Sequence, residues 1–153
     1  MNKIILFLFA LVFMACDESN LSINSKAPDI FAKTTNNENV KLLRNGIEIV
    51  EFWENGCAAC LKVMANLNDY AVKNNIKIYA INSIDDLKVI KKHEDEHNYE
   101  SMIFLKDQQD ISWSRYEIFA VPTLFIIKDG ILVEKILGDR GFNYIKEKIE
   151  RNL

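Results

Sequence analysis

A β-branched apolar run at residues 47–53, Ile-Glu-Ile-Val-Glu-Phe-Trp, stops at Asn55-Gly56 and is followed at once by Cys57-Ala58-Ala59-Cys60. That order constrains the fold more than any other feature of the chain. A run this apolar reads as a core strand. After it, Cys60, Met64, Leu67 and Ala71, with Leu61 beside them, recur at spacings of three and four, which predicts an amphipathic helix over 57–73. Two thiols therefore sit at the head of a helix that leaves a buried strand.

The remaining pattern extends this alternation. Strands are expected at 40–43, 76–81, 102–105, 123–127 and 131–137, and helices from about 83 to 97, over 111–119 and over 141–151. Ser83 and Asp86 have capping-box-like spacing. Asp129-Gly130, between two apolar runs, is a hairpin signal. Strands alternating with helices and closed by a hairpin and a last helix predict an α/β domain with a mixed central sheet flanked by helices. Residues 19–39 are polar and turn-rich, with the extended-favouring Ala27-Pro28-Asp29 among them.

The N-terminus differs in kind. Lys3 precedes an unbroken apolar stretch over 4–14, then Ala15-Cys16, then Asp17-Glu18-Ser19-Asn20. A basic start, a short apolar core and a small residue describe a secretory signal, and the stretch falls short of the roughly 20 residues that span a bilayer. Ala15-Cys16 also looks like the end of a bacterial lipobox, where cleavage precedes a cysteine that becomes lipidated. Ordinary signal cleavage, with Cys16 discarded or left as a free thiol, is the alternative. The expected organisation is a signal at 1–15, a lipidated Cys16 and tether over 16–26, and one domain over 27–153. Such a protein is exported and lipid-anchored to a bacterial membrane, with its domain in the periplasm or at the cell surface.

Of the three cysteines, only Cys57 and Cys60 then remain in the domain. Cysteines in an oxidising compartment are usually paired, yet a disulfide between neighbours this close closes almost no loop and staples almost nothing. The pair points to chemistry. Unpaired N–H groups and the positive end of a helix dipole stabilise a thiolate at Cys57, while Cys60 lies one turn further in. In the expected cycle the Cys57 thiolate attacks a partner disulfide, and Cys60 then attacks Cys57 and releases the reduced partner. A lone Cys-x-x-Cys can be half of a zinc site, but no second one exists and the chain has two His, so no metal and no cofactor beyond the redox-active disulfide is expected. A net charge of -3 without a basic stripe gives no reason to expect nucleic acid.

Glu51 lies inside the apolar run, where an unpaired carboxylate is costly. Either its pKa is raised and it takes the proton from Cys60 as that thiol attacks, or the strand is open enough for it to reach solvent. Glu48, on the opposite face, is expected to be exposed. Pro122 opens the apolar run Thr123-Leu124-Phe125-Ile126-Ile127, out of place there unless the turn requires it.

Together, Glu51-Phe52-Trp53 through Cys60, Val121-Pro122-Thr123-Leu124-Phe125 and Asp129-Gly130 resemble thioredoxin, and more closely the exported TlpA/ResA group of thioredoxin-like proteins. Lys26-Ala27-Pro28-Asp29 resembles that group's opening motif. The resemblance implies a thioredoxin fold with an added strand and helix around 76–105. It implies Cys57 as nucleophile, Cys60 as resolving thiol, Glu51 as the buried acid and a cis bond at Val121–Pro122. Trp53, Gly56, Val121 and Pro122 would then meet an extended substrate segment. Implied partners are protein thiols or disulfides, a membrane-side electron donor and the membrane itself. The sequence departs from the pattern in three places. Gly56 stands where Trp is usual, Ala58-Ala59 replaces pairs containing proline, and many TlpA-like proteins have an uncharged residue at the Glu51 position. The implied activity is reduction of disulfides in exported proteins, apocytochrome c among them. Oxidation or isomerisation on the same fold, or a non-catalytic metal-binding module, are the alternatives.

His93-Glu94-Asp95-Glu96-His97 satisfies the H-E-x-x-H pattern of zinc proteases. With acidic residues between the two His, lysines before them and no third ligand, it reads as a solvated helix face. Trp113, Tyr116 and Phe119 read as packing residues.

Overall fold

A computed structural model describes residues 21–153; the signal-like stretch 1–15 and Cys16 lie outside the described residues. Strands β1 (Ala32–Thr34), β2 (Ile47–Phe52), β3 (Lys77–Asn82), β4 (Met102–Asp107), β5 (Thr123–Lys128) and β6 (Ile131–Leu137) combine with helices α1 (Ala58–Asn74), α2 (Leu87–Glu96), α3 (Ile111–Arg115) and α4 (Phe142–Glu150). The strands form one sheet in the order β1-β4-β3-β2-β5-β6. β2, β3 and β4 run parallel, and β1, β5 and β6 run antiparallel to their neighbours. The interval 76–105, where an added strand and helix were expected, holds β3, α2 and most of β4. Among the described residues no helix is long and apolar enough to cross a membrane.

The central strands are apolar on both faces because both faces are covered. Ile49 of β2 and Trp53 just after it pack with Val63, Met64 and Leu67 of α1, Ile90 of α2 and Ile145 and Ile149 of α4. Val50 and Phe52 point the other way, into a second layer with Ala27, Ile30, Tyr116 and Ile118. Alternation along β2 therefore puts Glu51 under α1 and Glu48 under the N-terminal segment. α1 stops where Asn75 turns left-handed and its N–H bonds back to Ala71 and Val72.

Several local expectations change. Residues 40–43 are not a strand: the Leu43 and Arg44 N–H groups donate to the Glu48 carboxylate at 2.6 and 2.7 Å instead of to a ladder. Glu48 is correspondingly buried, not exposed, and the Tyr79 hydroxyl donates to it as well, at 2.8 Å. The polar stretch before it holds a strand after all, since β1 pairs with β4 through Ala32 and Asp107. Residues at the end of the expected tether are docked: the Asn24 N–H donates to the Leu132 carbonyl, and the Leu132 N–H to the Ser25 carbonyl. α2 begins after Asp86, whose side chain makes no cap bond, and the Ser83 hydroxyl is bonded to Asp110, so no capping box forms. α3 ends at Arg115, leaving Phe119 79% exposed, while Trp113 and Tyr116 pack on Phe52 as expected.

Glu48 yields a stability prediction. Its carboxylate is the acceptor for a loop and a buried phenol, and an amide offers only one oxygen to the same donors. Glu48→Gln is expected to lower the unfolding free energy by about 2 kcal/mol, read from the urea midpoint at constant slope.

Candidate active site

The turn after β2 brings Cys57 to the surface. Trp53 still donates its N–H to Ile81, then Asn55 and Gly56 turn outward and Cys57 becomes the N-cap of α1. The loop is held from below: the Asn55 N–H donates to Asp85 Oδ2 at 2.7 Å, and Asn82 Nδ2 donates to the same oxygen at 2.8 Å. Sequence reading missed this brace; an Asn at a strand end with an Asp three residues on was its only signal.

Cys57 and Cys60 are joined as a disulfide, with Cα atoms 5.2 Å apart. Cys57 is half-buried and Cys60 fully buried. The Cys60 N–H donates to Cys57 Sγ at 3.1 Å, so one otherwise unpaired donor of the first helical turn already points at that sulfur. No acidic residue lies in that turn to oppose a thiolate. An added Cβ at Gly56 would meet nothing, so the surface beside Cys57 is open.

The Val121–Pro122 bond is cis. Pairing of Phe52 with Thr123 sets Pro122 beside the end of β2, next to the cysteine turn. Thr123 Oγ1 donates to the Ala120 carbonyl at 2.7 Å, and the Gly138 N–H to the Pro122 carbonyl at 2.8 Å, which fixes the bend. Val121 packs against the core layer that also receives Cys57.

Glu51 lies on the sheet face that α1 covers, completely buried with neither carboxyl oxygen hydrogen-bonded. Desolvation pushes its pKa up to about 8, so the carboxyl is largely protonated at neutral pH. The open-strand alternative for Glu51 is thereby removed.

Trp53 is corrected. It is completely buried between α1 and the sheet, its ring 5.5 Å from Phe104 and 4.9 Å from His93, so it cannot meet a docking partner. His93 is corrected too: it is 4% exposed and packs its ring against Trp53, Phe104 and His97, rather than lying on a solvated face. Among the described residues no group of three or more His, Cys, Asp or Glu side chains is placed to hold a metal ion.

The AhpC/TSA family model matches residues 23–135, most of the described domain and all of the site. The chain belongs to the AhpC/TSA family. It is similar to the thioredoxin of Staphylococcus epidermidis, 23% identical over 121 residues that cover 79% of this chain and 96% of that protein. A Chlorobium tepidum protein described as the thiol:disulfide interchange protein DsbE superposes with a TM-score of 0.75 at 22% identity, over 86% of this chain and 98% of that one. The exposed lipoprotein thioredoxin of Streptococcus pneumoniae superposes at 0.69 with 17% identity, over 81% and 99%. The fold is thus that of thioredoxin. With a Cys-x-x-Cys pair at the head of α1, this AhpC/TSA member is a thiol–disulfide oxidoreductase.

Proposed function

We propose that this protein is a membrane-tethered reductant of disulfides in exported proteins, working through a Cys57/Cys60 dithiol with no other cofactor. The observation that carries the reading is the asymmetry of the pair: one sulfur reachable at a helix N-cap, the other sealed in the core on the sheet face that also carries an unpaired buried acid. Reduced Cys57 attacks a substrate disulfide as the thiolate. Cys60 loses its proton to the ionised fraction of Glu51, attacks Cys57 and expels the substrate as a thiolate, which takes a proton from solvent. The cis bend at Pro122, with Val121 and Gly56, receives an extended substrate segment by backbone pairing. Apocytochrome c is one substrate consistent with the TlpA/ResA resemblance. A membrane-side donor returns the electrons, and Cys16 carries the lipid anchor, a reading supported by the lipoprotein among the structural neighbours.

The reduction potential of the pair, set by equilibration with glutathione, tests the direction of electron flow. A reductant is expected near the thioredoxin value of about -270 mV, whereas a value near the roughly -120 mV of a strong oxidant would reverse the assignment. Mass spectrometry of the membrane fraction for a diacylglycerol-modified Cys16 tests the anchor, and an unmodified mature N-terminus would refute it.

A further inference from the structure

The loop that leads into the cis bend at Pro122 holds an aromatic ring in solvent, and the fold gains little from it. α3 stops at Arg115, Glu117 turns left-handed at φ 49°, and Ile118 tucks into the core with its N–H donating to the Trp113 carbonyl at 3.1 Å. The next residue, Phe119, is thereby sent outward. It is 79% exposed, the most exposed large apolar side chain among the described residues. A phenyl ring stabilises a fold through the area it removes from water, and this one removes little. On its other side the loop is pinned by Thr123 Oγ1, which donates to the Ala120 carbonyl at 2.7 Å. A ring held in the open on a braced loop, with little return in stability, is suited to contact with another molecule.

Two side chains of β6 extend this surface. Thr123 pairs with Leu137 and Phe125 with Lys135, so Leu137 and Lys135 share one face of the strand. Leu137 is half-exposed. The Lys135 ammonium lies 5.3 Å from the centre of the Phe119 ring and 5.4 Å from that of Phe125, which ties Phe119 to this face. Among the described residues Lys135 makes no ion pair, so its charge is available. The patch is continuous with the docking bend. Three residues separate Phe119 from Pro122, at most about 10 Å of chain, and the Gly138 N–H after Leu137 donates to the Pro122 carbonyl at 2.8 Å. The Phe52–Thr123 pair sets Pro122 beside the cysteine turn. On the cysteine side of the bend, Gly56, Ala58 and Ala59 offer no long apolar side chain to a substrate.

We propose that Phe119, Leu137 and Lys135 select the substrate: they seat an apolar side chain within about three residues of the substrate's disulfide cysteine and favour a carboxylate beside it. The proposal rests on the Pro122 bend receiving an extended substrate segment, and it names the class of segment received. An extended chain advances about 3.3 Å per residue, so a segment whose cysteine faces Cys57 at the bend reaches Phe119 within three residues. Covering the phenyl ring and Leu137 supplies the apolar gain that folding left unused. Lys135 lies beside that contact at the edge of the patch, where a carboxylate of the substrate can meet it without either charge being sealed from water. Selection on this patch acts on the first step, the approach of the substrate disulfide to Cys57, and leaves the later attack by Cys60 untouched.

The test is stopped-flow reaction of the reduced protein with short peptides whose single cysteine is capped by 5-thio-2-nitrobenzoate, which leaves as a coloured thiolate when Cys57 attacks the peptide sulfur. Leu, Ser or Asp is placed at each of the three positions on either side of the cysteine, and capped N-acetylcysteine amide serves as the unflanked reference. At its best position Leu is expected to raise the rate constant, relative to that reference, about tenfold over Ser, and Phe119→Ser is expected to erase the gain while Phe119→Leu keeps most of it. Lys135→Glu is expected to reverse the preference for Asp into one for Lys, a change of sign that a merely loosened fold does not produce. A parent that favours flanked peptides, with its preferences unchanged in Phe119→Ser and Lys135→Glu, would overturn the role of the patch and leave the bend in place. A parent that treats flanked and unflanked cysteines alike would instead remove the docking reading of the bend beneath it. Sedimentation of the parent supplies a further check: a dimer that Phe119→Ser dissolves would assign the patch to a second copy of this chain and overturn the proposal.

Discussion

Cys57→Ser is expected to abolish disulfide turnover, by at least ~1000-fold, while Cys60→Ser stalls the reaction with substrate covalently attached. The two outcomes differ because the sulfurs differ in access, not in chemistry. Cys57 is the half-exposed N-cap and receives the Cys60 N–H at 3.1 Å, an arrangement that favours negative charge on that sulfur. A serine hydroxyl in the same place stays protonated at neutral pH and cannot open a disulfide. Cys60 is fully buried, so an incoming disulfide never reaches it and its only accessible target is Cys57. Removing it leaves the first attack intact and the second impossible. Intact-mass analysis after mixing with a disulfide-containing protein checks this. A stable adduct is expected on Cys60→Ser and none on Cys57→Ser; an adduct on Cys57→Ser would invert the assignment.

The strand–turn–helix unit, the hairpin and the dithiol were legible because each is a local pattern: period, turn chemistry and two residues three apart. What was not legible depended on partners far away in the sequence. Glu48 and Glu51 illustrate this within one strand. Both are carboxylates in an apolar run, on opposite faces, and sequence reading separated them as one exposed and one in doubt. Both are buried. Glu48 is satisfied because residues 42–44 fold across it as a loop and offer two N–H groups, the same event that prevents a strand at 40–43. Glu51 has no such loop on its side. β1 escaped notice because a three-residue polar strand carries almost no periodic signal and exists only through its pairing with β4. His93 was misplaced for a related reason. Acidic neighbours suggested water, but only one face of a helix meets water, and the face carrying Ile90 and His93 is turned to the sheet. Phe119 failed in the opposite sense: α3 stops at Arg115, and the chain carries the ring outward instead of continuing a helix that would have buried it.

Glu51 should make the protein measurably less stable as pH rises. Its folded-state pKa of about 8 lies above the ordinary 4.5, so between those values the native state binds a proton that the unfolded chain has released. Stability contributed by the neutral acid is therefore fully present below about pH 4.5, declines through the window and is lost once pH passes about 8. At 1.36 kcal/mol per pKa unit, the loss is about 3 kcal/mol at pH 7 and approaches about 5 above pH 8. A loss of that size is a large share of a small domain's total stability. Glu51→Gln has nothing to titrate, so its stability relative to the parent is expected to grow across the same window by a similar amount. Urea unfolding of both proteins from pH 5 to 9, with the disulfide intact, checks the sign as well as the size. Parallel curves would mean that the carboxyl is solvated in the native state, which would also remove it as the acceptor of the Cys60 proton. Divergent curves together with a slowed Cys60 step in Glu51→Gln would show the same burial acting twice. The desolvation that makes the carboxylate costly in the folded chain is what raises its basicity toward that of a thiolate, and a base of that strength is what a sealed thiol requires.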